Sequence, residues 1–295
     1  MGGIWRVILD WVEMLKLRLA SLVVLGAFVG ALLGMNEVHG FLSAVEAAFW
    51  IACSAAAGCA LNQVIEQEID SRMERTRNRP LLTGRISVRD AVLVSAVLGA
   101  AATFGLALRF NLLASFMSLA SLFTYVAVYT PLKKVSALNT LVGAFPGAAP
   151  IAIGYVAMTG EVGTWAISLF LIVFAWQFPH FMAIAWIHRE DYRQAGLAMV
   201  PVLPGGEKAA GVQALGHSVI LIPVSLLPAL WGDVGVIYAV GTLTISLIYA
   251  FYSGRFAVIQ DQSRAKALFC VSLGYLPALF ALILVDRLAG SAPLL

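Results

Sequence analysis

Asn62, Glu66 and Asp70 stand four residues apart, in a charged stretch of an otherwise very apolar chain. On an α-helix four residues turn about 400°, so these three side chains share one face, while Glu68 points away from it. Two carboxylates at that spacing repel each other unless a cation lies between them. Carboxylate and amide oxygens suit Mg²⁺, above all when a phosphate completes the shell. Arg72, Arg75, Arg77, Arg79 and Arg85 follow at once. Guanidinium groups bind phosphate oxygens bidentately, so the acids and arginines together read as a site for a magnesium-held diphosphate. The arginines alone read equally well as a solvated, positively charged loop with local salt bridges, its turns marked by "NRP" at 78–80 and "TG" at 83–84.

A second polar cluster lies in "WQFPHFMAIAWIHREDYRQAG", residues 176–196. Gln177 and His180 fall within an apolar helix beside Pro179, and Asp191 and Tyr192 lie past its end. Asp191 can supply a second carboxylate pole, allowing two Mg²⁺ ions on one diphosphate to stabilise charge on the leaving oxygen. His180 reads either as a packing histidine bonded across helices or as a contact to a substrate or a metal-bearing macrocycle. His188 is eight residues on, about 12 Å along a helix, so the two cannot ligate one small ion without a break. In "YTPLKKVSALNT", 129–140, Tyr129, Lys133 and Lys134 can meet phosphate or carboxylate, or can simply anchor a turn. "GAFPGAAPIAIGY", 143–155, permits close helix approach and kinks, which suits a ligand wall or plain packing.

The elements that position these groups must be membrane helices. Of 295 residues 61% are hydrophobic and only 12% charged, with a mean hydropathy of +0.89, too little polar surface for a water-soluble body. Nine apolar runs of spanning length fall near 19–35, 44–65, 91–108, 112–130, 137–158, 163–187, 214–231, 234–254 and 267–285. The expected fold is an all-α membrane protein of nine transmembrane helices around a central cavity, one domain over 1–295. Segments 1–18, 66–90, 131–136, 188–213 and 255–266 then share one side and hold 17 of the 19 Lys and Arg residues, all but Arg109 and Arg287. That bias predicts a cytoplasmic N-terminus and an outer C-terminus. Eleven of sixteen acids gather on the same side, so chemistry is expected at the two long loops, 66–90 and 188–213.

Several classes drop out. The first 18 residues carry no clean cleavage site and read as preceding a retained span. Cys53, Cys59 and Cys270 form neither a disulfide framework nor a zinc signature. No GxxxxGK[ST] loop, GxGxxG turn or nucleophile elbow is present, and the basic charge has a topological cause that makes nucleic-acid binding an unneeded explanation.

The ordered set of "MERTRNRPL" at 73–81, "YTPLKK", "GAFPGAAPIAIGY", "WQFPHF" and "EDYRQAG", with the acidic face before them, resembles the UbiA-type intramembrane prenyltransferases, and within them the haem-modifying branch. The likeness runs across nearly all nine predicted spans. Two departures stand out: Glu66 replaces the middle Asp of the family's first motif, and Ala195 replaces the second acid of its second motif, leaving Asp191 alone. The resemblance implies transfer of a farnesyl group from farnesyl diphosphate to a vinyl group of haem b, with water added and diphosphate released. It implies Mg²⁺ held by Asn62, Glu66, Asp70 and Asp191, and anion contacts from Arg75, Arg79, Lys133 and Lys134. It makes His180 a haem-pocket residue, with Tyr129, Gln177 and Tyr192 as further substrate contacts. It implies the bacterial cytoplasmic (inner) membrane, membrane lipid as surroundings, and a haem A synthase or oxidase assembly factor as a pathway partner. A quinone-type prenyltransferase would share the acidic face but leave "MERTRNRPL" unexplained. A transporter would use the clusters as gates, yet no matching outer gate is seen.

Overall fold

The structure is a computed structural model that describes residues 2–290, without the side chains of 2–4 and 17–20. Its helices are α1 (Gly2–Met14), α2 (Leu17–Leu33), α3 (Phe41–Ile65), α4 (Gln67–Ser71), α5 (Val88–Arg109), α6 (Leu112–Phe123), α7 (Thr130–Leu132) and α8 (Asn139–Thr159). They continue as α9 (Thr164–Ile187), α10 (Arg189–Gln194), α11 (Gly206–Ser225), α12 (Leu227–Leu230), α13 (Val236–Val258) and α14 (Gln262–Leu288). A π-helical stretch, Thr124–Tyr129, joins α6 to α7. The chain forms two compact units: residues 1–166 with 191–197, and residues 167–190 with 198–295.

Among the described residues eight helical stretches are long and apolar enough to cross a membrane, and a shorter apolar helix runs over Ser21–Leu33. The nine expected spans therefore resolve into eight of full length and one short. The expected 188–213 loop is also shorter and partly helical: α10 lies inside it and α11 begins at Gly206. Apolar content marks where lipid begins, but backbone hydrogen bonding carries a helix past that point. Gly205 takes φ 69, and Glu207 falls in the first turn of α11, where a negative charge is favourable. Similarly α5 starts at Val88, where Ser87 accepts from the Asp90 amide.

In the first unit α2 and α8 meet backbone to backbone. A Cβ at Gly30 would sit 1.9 Å from the Ile151 carbonyl oxygen, and one at Gly154 would sit 2.0 Å from that of Ala27. Gly26, Gly30 and Gly34, four apart, lay a groove of small residues along α2. The last carbonyls of α8, orphans by the rules of helix geometry, are taken by side chains. Asn36 Nδ2 donates to Met158 O at 2.8 Å, and Asn111 Nδ2 donates to Val156 O at 2.8 Å and Ala157 O at 3.1 Å. Leu42, Leu108 and Leu112 are exposed, as lipid-facing positions require.

The second unit buries a seam of hydroxyls among apolar helices. Tyr238 donates to Ser225 O at 2.8 Å, the Ser225 and Ser246 hydroxyls lie 3.1 Å apart, and Ser246 lies 2.8 Å from the Tyr275 hydroxyl. Asp286, 2% exposed, accepts from the amides of Gly235 at 2.7 Å and Tyr238 at 3.0 Å. Its carboxylate from α14 thereby serves the N-terminus of α13, where free N–H groups and the helix dipole favour negative charge.

Candidate active site

The acidic face survives a break in its helix. Glu66 takes φ −92, ψ 11 and ends α3. The i to i+4 hydrogen bonds nevertheless continue, from the Glu66 amide to Asn62 O at 2.9 Å and from the Asp70 amide to Glu66 O at 2.8 Å. Asn62, Glu66 and Asp70 are buried, at 1%, 6% and 1% exposure, whereas Glu68 is exposed and pairs with Arg72 at 2.5 Å.

Each of the three has a cationic neighbour. Lys16 Nζ donates to Asn62 Oδ1 at 3.2 Å, Lys133 Nζ lies 2.8 Å from Glu66 Oε1, and Arg79 donates to Asp70 Oδ2. The Asn62 amide is fixed from both ends. Thr130 commits its hydroxyl proton to Tyr125 O at 2.8 Å and so accepts from Asn62 Nδ2 at 3.2 Å. Tyr125 and Tyr129 stack at 5.4 Å, and the Lys133 ammonium lies 4.6 Å from the centre of the Tyr129 ring. The π-helical stretch carries these tyrosines, and Gly143 makes room for Tyr129, since a Cβ there would sit 2.6 Å from its ring. Within the Gly-rich run 143–155, Gly154 packs on α2 and Gly143 leaves room for Tyr129.

Burial pushes the Asp70 carboxyl above its ordinary value; Arg79 opposes that push and Glu66 adds to it. Burial also holds the Lys16 ammonium down to about 8, helped by the like charges of Arg79 and Lys133. Lys133 is raised: burial works against its charge, but Tyr129 and Glu66 outweigh it.

The other sequence-predicted residues are placed as follows. Asp191 and Tyr192 belong to the same compact unit as the acidic face. Burial raises the Tyr192 phenol; the charges of Arg75 and Lys133 oppose that rise and Glu66 adds to it. The Asp191 carboxylate makes no ion pair among the described residues, and Arg75 is exposed. Lys134 is exposed and reaches Glu68 at 3.9 Å rather than the acidic face. Arg72, Arg77 and Arg85 pair with Glu68, Glu74 and Asp10, so of the five loop arginines only Arg79 is paired with a member of the face. Gln177 and His180 belong to the second unit. Gln177 is buried and donates to Val173 O at 3.0 Å, while His180 Nδ1 lies 2.7 Å from Ser272 Oγ.

Three contributors escaped the sequence reading. Lys16 stands ahead of the first apolar run with no spacing signal toward Asn62. Thr130 sits beside Tyr129 without a spacing signal. Gln63 donates to Met14 O at 2.6 Å, which, with Arg85 on Asp10, fastens α1 beneath the loop. Met14, Ala60, Leu81, Ile86 and Ala91 form an apolar cluster there.

The residues fit a magnesium ion. Asp70 Oδ1 is buried with no hydrogen-bond partner, while Oδ2 is taken by Arg79, and a buried orphan carboxylate oxygen asks for a partner. Among the described residues no three His, Cys, Asp or Glu side chains form a closed cage. Mg²⁺ is usually held in this open way, by one or two carboxylates with phosphate and water supplying the rest.

A profile of the UbiA prenyltransferase family matches residues 23–280, and the chain belongs to that family. A protoheme IX farnesyltransferase of Flavobacterium johnsoniae is 39% identical over 292 residues, covering 97% of this chain and 96% of that protein. In fold, the chain resembles a structure of digeranylgeranylglyceryl phosphate synthase, with a TM-score of 0.80 and 17% identity over 96% of this chain and 99% of that one. It also resembles a UbiA homologue from Archaeoglobus fulgidus bound to GPP and Mg²⁺, with a TM-score of 0.64 and 19% identity over 93% and 99% of the two chains. It is a multi-pass membrane protein of the all-α kind that the sequence predicts.

Proposed function

We propose that this chain transfers a farnesyl group from farnesyl diphosphate to a vinyl group of haem b, giving haem O. The single observation that carries the reading is the buried Asn62–Glu66–Asp70 face with its orphan Asp70 oxygen, in a chain 39% identical to a protoheme IX farnesyltransferase. Asn62, Glu66 and Asp70, with Asp191, would hold Mg²⁺, which when bound neutralises charge on the departing diphosphate.

Arg79, Lys133 and Lys16 add positive charge beside the same oxygens, where a low dielectric strengthens it. Arg75, Lys134, Tyr129 and Tyr192, in the same unit, would serve as substrate contacts, and Gln177 and His180 would serve the haem. Breaking the C1–O bond of farnesyl diphosphate leaves an allylic cation. The terminal vinyl carbon of haem b bonds to C1, and the charge moves to the carbon next to the porphyrin. Water adds there and loses a proton, which completes the hydroxyethylfarnesyl side chain. Burial of the acidic face keeps bulk water from quenching the cation first.

The N-terminus lies in the cytoplasm and the C-terminus outside, in a bacterial inner membrane, because 17 of 19 basic residues fall on the side that holds the acidic face. Residues 1–295 act as one catalytic domain, and a haem A synthase or oxidase assembly factor receives the product. Purified protein in nanodiscs, given haem b, farnesyl diphosphate and Mg²⁺, should yield haem O by mass spectrometry. Prenylation of a quinone precursor instead would move the acceptor and keep the site; no prenyl transfer at all would sink the reading.

A further inference from the structure

His180 is a partly buried imidazole in the middle of α9, and its proton can be located from its neighbours. Its Nδ1 lies 2.7 Å from Ser272 Oγ. Ser272 has one hydroxyl proton, and that proton is directed at Phe269 O, 2.5 Å away. A carbonyl cannot donate, so Ser272 Oγ is left to accept, and the hydrogen on the second contact comes from His180 Nδ1. The neutral ring then carries its lone pair on Nε2, which makes no hydrogen bond among the described residues.

The ring is also held in orientation. It stacks on Trp176 at 4.9 Å and on Phe269 at 5.3 Å. Trp176 is itself pinned by Nε1 donating to Ser272 O at 2.9 Å and by Tyr249 donating to its carbonyl at 3.0 Å. Ser272 thus ties α14 to Trp176 and His180 of α9. A histidine whose Nδ1–H is held by a hydrogen-bond acceptor, with a free Nε2 and a fixed ring plane, is the arrangement that ligates metals. His188 and Arg189 lie just past the end of α9, about two helical turns on from His180, where a basic side chain could meet a haem propionate. Arg189 is held over Trp186 at 4.4 Å.

We infer that His180 Nε2 is the axial ligand that anchors the iron of the haem substrate, with Ser272 setting its tautomer. The inference rests on haem b being the acceptor, and it adds that the iron, not only the porphyrin edge, is recognised. His217 is the internal comparison. Its Nδ1 lies 2.9 Å from Gln213 O of its own helix and its ring stacks on Phe178 at 3.7 Å, so it has the same tautomer but its hydrogen bond stays within one helix.

The test uses the full-length protein in nanodiscs, without farnesyl diphosphate, titrated with haem b and with metal-free protoporphyrin IX. Wild-type protein should show the optical and resonance Raman signature of histidine-ligated iron and should prefer haem b. His180→Ala should lose the signature and bind both porphyrins alike, and added imidazole should restore the signature. Ser272→Ala should weaken haem b binding about 10- to 100-fold, the usual effect of removing a ligand's supporting hydrogen bond, and leave protoporphyrin IX binding unchanged. His217→Ala should behave as wild type. A signature that survives His180→Ala, or equal wild-type binding of both porphyrins, would overturn the inference even if haem O is made. Absence of haem O from wild-type protein that shows the signature would overturn the acceptor assignment alone.

Discussion

Lys16 Nζ donates to Asn62 Oδ1 across 3.2 Å, joining residues 46 positions apart and linking the α1–α2 junction to the first member of the acidic face. Lys16 takes φ 51 there, a left-handed conformation that side chains other than glycine seldom adopt. The tie sets where the Asn62 oxygen points. Lys16→Met should raise KM for farnesyl diphosphate about tenfold or more, the scale of a lost hydrogen bond to a charged group. Steady-state kinetics in nanodiscs checks this; an unchanged KM would make the contact incidental.

The same residue predicts a pH dependence. Burial, first, and then the charges of Arg79 and Lys133 hold the Lys16 ammonium down to about 8, against an ordinary 10.5. A depressed lysine contributes stability only while neutral, so that contribution is present above the unfolded value and lost as pH falls through about 8. Substrate binding runs the other way, because only the ammonium adds charge to the site. KM for farnesyl diphosphate should therefore rise as pH passes about 8, and Lys16→Met should flatten that rise.

Arg79 and Asp70 form a buried pair, with side chains 13% and 2% exposed. Removing the cation alone leaves a buried carboxylate uncompensated, an effect of about 3–5 kcal/mol. Arg79→Leu should lower thermal stability in detergent sharply, and adding Asp70→Asn should recover much of it. Additive losses in the double variant would contradict the pairing.

Close helix crossing makes two glycines irreplaceable and one dispensable. A Cβ at Gly30 or Gly154 would strike backbone oxygen, whereas one at Gly26 meets nothing nearer than 3.7 Å. Overpacking of this kind costs about 1–3 kcal/mol or more. Gly30→Ala and Gly154→Ala should unfold at lower temperature or fail to accumulate, while Gly26→Ala keeps the wild-type melting profile.

Asp286 accepts two amides at the start of α13. Asp286→Ala should destabilise the protein by about 1–3 kcal/mol, and Asp286→Asn by less, since an amide oxygen still accepts one bond. Differential scanning fluorimetry in detergent would read both, and equal stability of the alanine variant would refute the capping role.

The particular residues show what a linear reading captures. Asn62, Glu66 and Asp70 were legible because a four-residue spacing survives as one face even where the helix breaks at Glu66. By spacing alone Arg79 could not be told from Arg72, Arg77 and Arg85, and only the family resemblance singled it out, with Arg75, because all occupy one turn-rich loop and the tertiary fold decides which carboxylate each meets. Lys16 and Thr130 were invisible as site residues because each acts on Asn62 from a distant segment. Span existence followed from apolar length, but the start of α11 at Gly206 did not, because its first turn is polar and hydropathy is blind to backbone hydrogen bonds. The π-helical stretch before Pro131 has no periodic signature to read.

The central claim is that the acidic face holds Mg²⁺ on farnesyl diphosphate while haem b is the acceptor. A magnesium titration of haem O formation, in wild type and in Glu66→Gln, tests it most directly. The account predicts no product after chelation, recovery on adding Mg²⁺, and a half-saturating Mg²⁺ concentration in Glu66→Gln raised by at least about tenfold, the change expected when a charged oxygen ligand becomes a neutral amide. Haem O formation that ignores chelator, or a Glu66→Gln curve that overlays wild type, would contradict it.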